Sequence, residues 1–170
     1  DYFARINAVT SRGVEVRDLL VVHPVESAWL MVRPGWLEDP AVKRFDHQLV
    51  APEDALLAGH VDFDYGDEEI LSRRASVTKA KAGPVLKVGK ASYTTVLVPP
   101  AITLRSSTLE LLERFAAAGG RVVFAGEVAG HVDAEPSDRA VALAERTARA
   151  PAAGAELVQA VEGARRVSIA

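Results

Sequence analysis

Residues 93–126 read YTTVLVPPAITLRSSTLELLERFAAAGGRVVFAG. Thr94 to Val98 is a short apolar run that Pro99 and Pro100 close, the pattern of a strand buried on both faces of a parallel sheet. A helix opens at Ser106 or Ser107, with Leu109, Leu112, Phe115 and Ala116 on one face. Ser107 followed by Glu110 matches a capping box, and Gly119-Gly120 stops the helix. Arg121 to Gly126, apolar from Val122 to Ala125, then reads as a further core strand. Strand, helix, strand is the crossover unit of a parallel sheet, so this stretch sets the fold class.

Working outward, Asp18 to Val22 is another continuous apolar run, closed by His23-Pro24. Asp1 to Arg12 carries Phe3, Ile6 and Val9 at helical spacing, with Gly13 placed to end that helix. Val25 to Asp39 reads as irregular chain, and Pro40 to Gly59 as helical, with Pro52 expected to open a second helix or kink the first. His60 to Tyr65 alternates as a strand does, and Asp67, Glu68 and Glu69 suit the positive end of a short helix around Ile70. Residues 75–91, rich in lysine and valine, predict one or two short strands, with a surface hairpin insert at 78–90. Ser137 to Arg149 reads as an alanine-rich helix, Gly154 to Val161 as another, and Arg165 to Ile169 as a final strand. The order predicts a three-layer, doubly wound, mainly parallel α/β sheet of the flavodoxin-like kind.

Length and composition set the outer limits. A chain of 170 residues, 49% hydrophobic and 25% charged, fits one globular domain. No apolar run approaches the roughly 20 residues of a membrane-spanning helix, so no membrane partner is expected. A net charge of −3, from 20 basic and 23 acidic residues, with no basic stripe, argues against nucleic acid. With no cysteine there is neither a disulfide nor a thiolate nucleophile, and redox compartment and location stay unread. The first residue is Asp1 and helix-like sequence follows at once, which reads as a piece of something longer.

In open parallel sheets ligands bind outside the carboxyl ends of the strands. That rule selects His23, Glu26 and Ser27 after the first strand, Asp62 and Asp64 on the second, Thr103 after the third and Glu127 after the fourth; of these His23, Glu26, Ser27, Asp64 and Glu127, with Trp29 as an aromatic face beside them, make up the binding set. They are candidate binding residues; no catalytic residue is assigned. Asp62-x-Asp64-x-Gly66 fails as a calcium loop, because the glycine comes one place early and Arg73 stands where the final glutamate belongs. The four histidines lack ligand spacing, so no metal is expected. Gly126 to Gly130 has neither the lysine of a phosphate loop nor a dinucleotide fingerprint, and no cofactor is expected. Trp29, Met31 and Trp36 are suited either to a sugar platform or to packing against a neighbour.

The segments DLLVVHPVESAW (18–29), HVDFDYGDEEIL (60–71) and 93–126 resemble the domain that follows the catalytic barrel in large bacterial glycoside hydrolases. The resemblance is to the α-L-rhamnosidase type of family 106 and, more distantly, to the trimerisation domain of family 42 β-galactosidases. It implies a class I amidotransferase-like domain without glutaminase activity, since that activity needs a cysteine and the third strand here ends in Pro99-Pro100-Ala101. It also implies a parent glycosidase whose catalytic carboxylates lie outside this chain. The implied partners are the barrel of the same chain and further copies in a homo-oligomer. The alternative is a binding module taking a carbohydrate or other small molecule at the carboxyl ends of the strands.

Overall fold

The computed structural model describes residues 1–12, 16–81 and 83–164. Gly13 and the strand expected at 165–169 lie outside them.

The chain opens with α1 (Tyr2–Thr10), then β1 (Leu19–His23), α2 (Val25–Trp29) and, after a 3-10 turn at Trp36–Glu38, α3 (Pro40–Ala58). Next come β2 (Phe63–Asp67), α4 (Glu68–Arg74) and the strands β3 (Ala75–Ala80), β4 (Gly83–Val88) and β5 (Ala91–Tyr93). They are followed by β6 (Thr95–Val98), β7 (Thr103–Leu104), α5 (Ser106–Ala117) and β8 (Arg121–Ala125). The last described elements are β9 (His131–Val132), β10 (Glu135–Pro136), α6 (Arg139–Glu145), β11 (Ala148–Ala150) and α7 (Ala155–Ala160).

Five strands form one parallel sheet in the order β11-β8-β6-β1-β2. Counting only these strands along the chain, the order is 2-1-3-4-5, the flavodoxin-like arrangement expected from the sequence. Alternate residues of each strand face opposite layers, which is why the runs are apolar throughout. Leu20, Val22, Val96, Val98, Val122 and Phe124 pack toward α5 and α6. Leu19, Val21, Leu97, Val123 and Ala125 form the opposite core with Leu56 of α3 and Leu157 of α7.

Several boundaries differ from the sequence reading, each for a local reason. His60 takes a left-handed conformation (φ 54°) and Val61 donates its N–H back to Leu56 O at 2.9 Å, so the strand starts only at Phe63. Pro52 sits inside a single continuous α3 and starts no second helix. Val25 to Trp29 is helical, not irregular. The alanine-rich helix stops at Glu145 and not at Arg149, and residues 148–150 supply the fifth strand, paired with β8. Strands β3, β4 and β5 form an antiparallel ribbon whose Leu86 and Tyr93 are buried in the main core, so it is more than a surface insert.

Helix α5 begins without the capping box. Its N-cap is Arg105, and the orphan N–H groups are met from elsewhere: Arg105 N–H donates to Glu68 Oε2 (2.8 Å) and Ser106 N–H to Asp133 Oδ1 (3.0 Å). At the other end Gly119 adopts φ 90° while its N–H donates to Ala116 O, and the Gly120 N–H donates to Phe115 O at 2.8 Å, a Schellman closure.

Candidate functional site

The order of the sheet reverses between β1 and β6, where connections leave in opposite directions and open a crevice at the carboxyl edge. Short segments line it: α2 after β1, β7 after β6, and the turn joining β9 to β10. Together they enclose a cleft of about 400 Å³ bordered by Glu26, Trp29, Leu30, Thr103, Arg105 and Asp133 among others.

Ser27 holds this edge together. It is completely buried, and its hydroxyl accepts from the N–H groups of Ile102 (3.0 Å) and Thr103 (3.1 Å) while donating to Thr103 O (3.0 Å). That pins α2 to β7 and leaves no hydroxyl for a ligand, which corrects the expectation that Ser27 binds one. One residue earlier, Glu26 pairs with the Arg105 guanidinium on the wall of the cleft, and this bond raises the affinity of Arg105 for its proton. Two residues later, Trp29 stands 62% exposed at the lip.

The far wall is a two-residue hairpin turn in which Asp133 (φ 51°) and Ala134 (φ 66°) are both left-handed, the geometry of a type I′ turn. Hydrogen bonds hold it there: Asp133 N–H donates to Leu104 O at 3.0 Å and Ala134 N–H to Thr103 Oγ1 at 3.0 Å. The Asp133 carboxyl, accepting from the side chain and backbone of Ser106, is held below the usual aspartate range.

Behind Arg105 lies Glu68, a residue sequence reasoning passed over. It is fully buried at the start of α4, with one oxygen on the Arg105 N–H. Burial pushes its pKa up to about 7; Thr108 and the Arg105 amide oppose the shift, and the neighbouring Glu26 carboxylate adds to it. The signal was the placement of β2. A strand at 63–67 makes Glu68 the first residue beyond the carboxyl edge, whereas a strand ending at Tyr65 leaves it as one more acid in a helix start.

The other candidates are scattered. His23 lines a second cleft with Tyr65 and Glu53, its ring 5.5 Å from that of Tyr65, whose hydroxyl donates to Glu53 at 3.1 Å. Glu127 lines a third with His131 and Gln48, and does not border the cleft that holds Glu26. Asp64 is occupied on both oxygens, accepting from Arg17 (2.8 Å) and from the Tyr93 hydroxyl (2.9 Å), neither of which borders the central cleft. Burial, and then donation to Asp64, pushes the Tyr93 hydroxyl up to about 12. Glu26, Trp29 and Thr103 are thus the residues singled out from the sequence that share the crevice.

Among the described residues no group of three or more His, Cys, Asp or Glu side chains could hold a metal ion. No described helix is long and apolar enough to cross a membrane. Comparison with family models, with curated proteins and with solved structures gives no match to this chain.

Proposed function

We propose that this chain is an accessory domain of a glycoside hydrolase that does no chemistry itself and packs, through the carboxyl edge of its sheet, against a catalytic barrel or another subunit. The observation that carries the docking role is the apolar segment beside the crevice. Trp29, Leu30, Val32 and Leu37 are 62%, 52%, 55% and 63% exposed within one short stretch, with Trp36 beside them. Exposed apolar residues gathered in one place mark interaction surfaces more often than the same residues scattered singly. Helix α1, which precedes the amino end of β1, is a separate apolar surface: none of its residues is buried, and Tyr2, Phe3, Ile6 and Val9 are exposed. The glycosidase assignment draws its support from the three sequence segments that resemble those enzymes.

Reading the gene on both sides of this coding stretch tests the assignment: an adjoining barrel with paired catalytic carboxylates is expected, and its absence contradicts it. The chain alone is expected to show no turnover of nitrophenyl rhamnoside or galactoside. Turnover lost on Glu26→Gln or Glu127→Gln would contradict the accessory role.

A second reading, a carbohydrate-binding module, is favoured by the exposed Trp29 ring at the mouth of the central cleft, since an aromatic face covers sugar C–H surface. Against it, Ser27, Thr103 and Asp133 already spend polar atoms on backbone groups of the protein. Titration calorimetry with rhamnose, galactose and their oligosaccharides separates the two: heat at millimolar sugar supports the module, and none leaves docking.

A further inference from the structure

Among the described residues three buried side-chain oxygens have no hydrogen-bond partner: Glu26 Oε2, Glu68 Oε1 and Thr108 Oγ. Buried polar atoms are nearly always paired, so three such atoms in one place call for a common explanation. They do lie in one place. Thr108 and Glu26 both come within hydrogen-bonding reach of the Glu68 carboxyl. The two glutamates also meet at Arg105, Glu26 Oε1 on its guanidinium and Glu68 Oε2 on its backbone N–H. The guanidinium of Arg105 thus takes Glu26 and its backbone N–H takes Glu68, each carboxyl keeping a second oxygen; the neutral Thr108 hydroxyl is a donor within reach of Glu68, whereas Glu26 Oε2 has no donor.

The surrounding charges do not supply that donor. On α4 the neighbouring Glu69 is paired with Arg73 at 2.6 Å, and Asp67 accepts from the Ile70 N–H at 2.9 Å. Across the cleft Asp133 adds negative charge and is occupied by Ser106. His23, at the end of β1 before α2, lines a different cleft. A proton is the smallest donor that fits. Placed on Glu68 Oε1 it can be donated to Glu26 Oε2, joining two of the unpartnered atoms in a charge-assisted hydrogen bond and removing the like-charge repulsion.

We propose that Glu26 and Glu68 share one proton in the folded protein, and that this proton is a latch holding the side chains of α2 against α4 and the start of α5. When the proton leaves, two carboxylates repel each other beside one guanidinium, which is bonded to Glu26 alone. Glu68 is 0% exposed, while the Glu26 side chain is 18% exposed and borders the cleft, so Glu26 is the one with a route to water. Ser27 keeps the α2 backbone on β7, so the movement is a swing of Glu26 and Arg105 into the cleft beside Trp29. This is a pH-sensitive element next to the exposed apolar segment, and it holds whether or not that segment docks on a neighbour.

Carboxyl carbon NMR of the whole chain tests the shared proton, and Trp29 emission in a Trp36→Phe background tests the latch. Glu68 is expected to titrate near 7, as its burial and the Glu26 charge require. Glu26→Gln is expected to lower that midpoint by at least one pH unit, a tenfold loss of proton affinity. Trp29 emission is expected to change across the Glu68 midpoint in the parent and to stay flat in Glu68→Gln, which keeps an acceptor for Arg105 and a donor for Glu26. All four histidines are common to both proteins, so the difference isolates Glu68. A Glu68 that titrates in the ordinary carboxylate range, or whose midpoint ignores Glu26→Gln, overturns the shared proton. A titrating Glu68 with unchanged Trp29 emission overturns the latch. Should Glu68→Gln fail to fold, the parent and Glu26→Gln decide the question between them.

Discussion

Ser27 and Glu68 show how little a residue's type says about its work until its neighbours are placed. Both are polar and both belong to the carboxyl edge, yet neither has exposed surface. The Ser27 hydroxyl serves three backbone groups of the segment after β6, so Ser27→Ala strands buried N–H donors. It is expected to destabilise the fold by about 2–3 kcal/mol, seen as a lower urea midpoint with unchanged slope. Glu68 makes the opposite kind of prediction. Its folded pKa lies near 7, above its unfolded value of 4.5, so between those values the folded state holds more protons than the unfolded one. Its contribution is therefore complete below about pH 4.5 and is lost as pH rises toward 7, by about 3 kcal/mol in all. Asp133, whose pKa is lowered, acts with the opposite sign and only at more acid pH, outside this window. Urea titrations from pH 4.5 to 8 are expected to show stability falling in the parent and level in Glu68→Gln. Neither role was readable from sequence, because each depends on chain segments far away, residues 102–103 for Ser27 and 105 for Glu68.

At the scale of elements the chain was more legible. The runs at 19–22, 95–98 and 122–125 announce buried parallel strands because both faces of each are covered. The strand at 148–150 was hidden, since Ala-Arg-Ala at the edge of a sheet lacks any β-branched signature and follows an alanine-rich helix. The α5 capping box failed for a related reason: Glu68 and Asp133 arrive from other elements and take over the helix end, which no local motif can announce. The turn between β9 and β10 offers a test of local strain. Ala134 sits at φ 66°, a conformation that costs an L-residue roughly 1–2 kcal/mol, and Gly meets no such penalty. Ala134→Gly is expected to stabilise the protein by about 0.5 kcal/mol after the added freedom of the unfolded chain is subtracted. Gly120→Ala should act oppositely, since a Cβ there would come within 2.3 Å of the Phe115 ring in the core, and a loss of about 1–3 kcal/mol is expected by the same measurement.

For the whole molecule, the sheet order and the position of its crevice follow from the order of elements along the chain, whereas the proposed docking role draws on surface that periodicity does not show. Helical spacing of Phe3, Ile6 and Val9 indicates a face that needs cover, and in this chain that face stays open to solvent. The segment around Trp29 and Leu37 is equally open, although Ser27 and the Arg33–Asp39 ion pair hold its two ends in defined places. Substituting Leu37→Glu is expected to leave the unfolding free energy of the isolated chain, read from urea titration, within about 0.5 kcal/mol of the parent, as surface changes away from packed features do. The most direct test compares hydrogen exchange of this chain alone with exchange of the same residues in the protein made from the complete gene. If the domain packs against a neighbour through its carboxyl edge, amides of residues 29–37 will exchange more slowly in the longer protein that the proposal requires, and Leu37→Glu will restore fast exchange there. Equal exchange in both proteins at those residues would contradict the docking role.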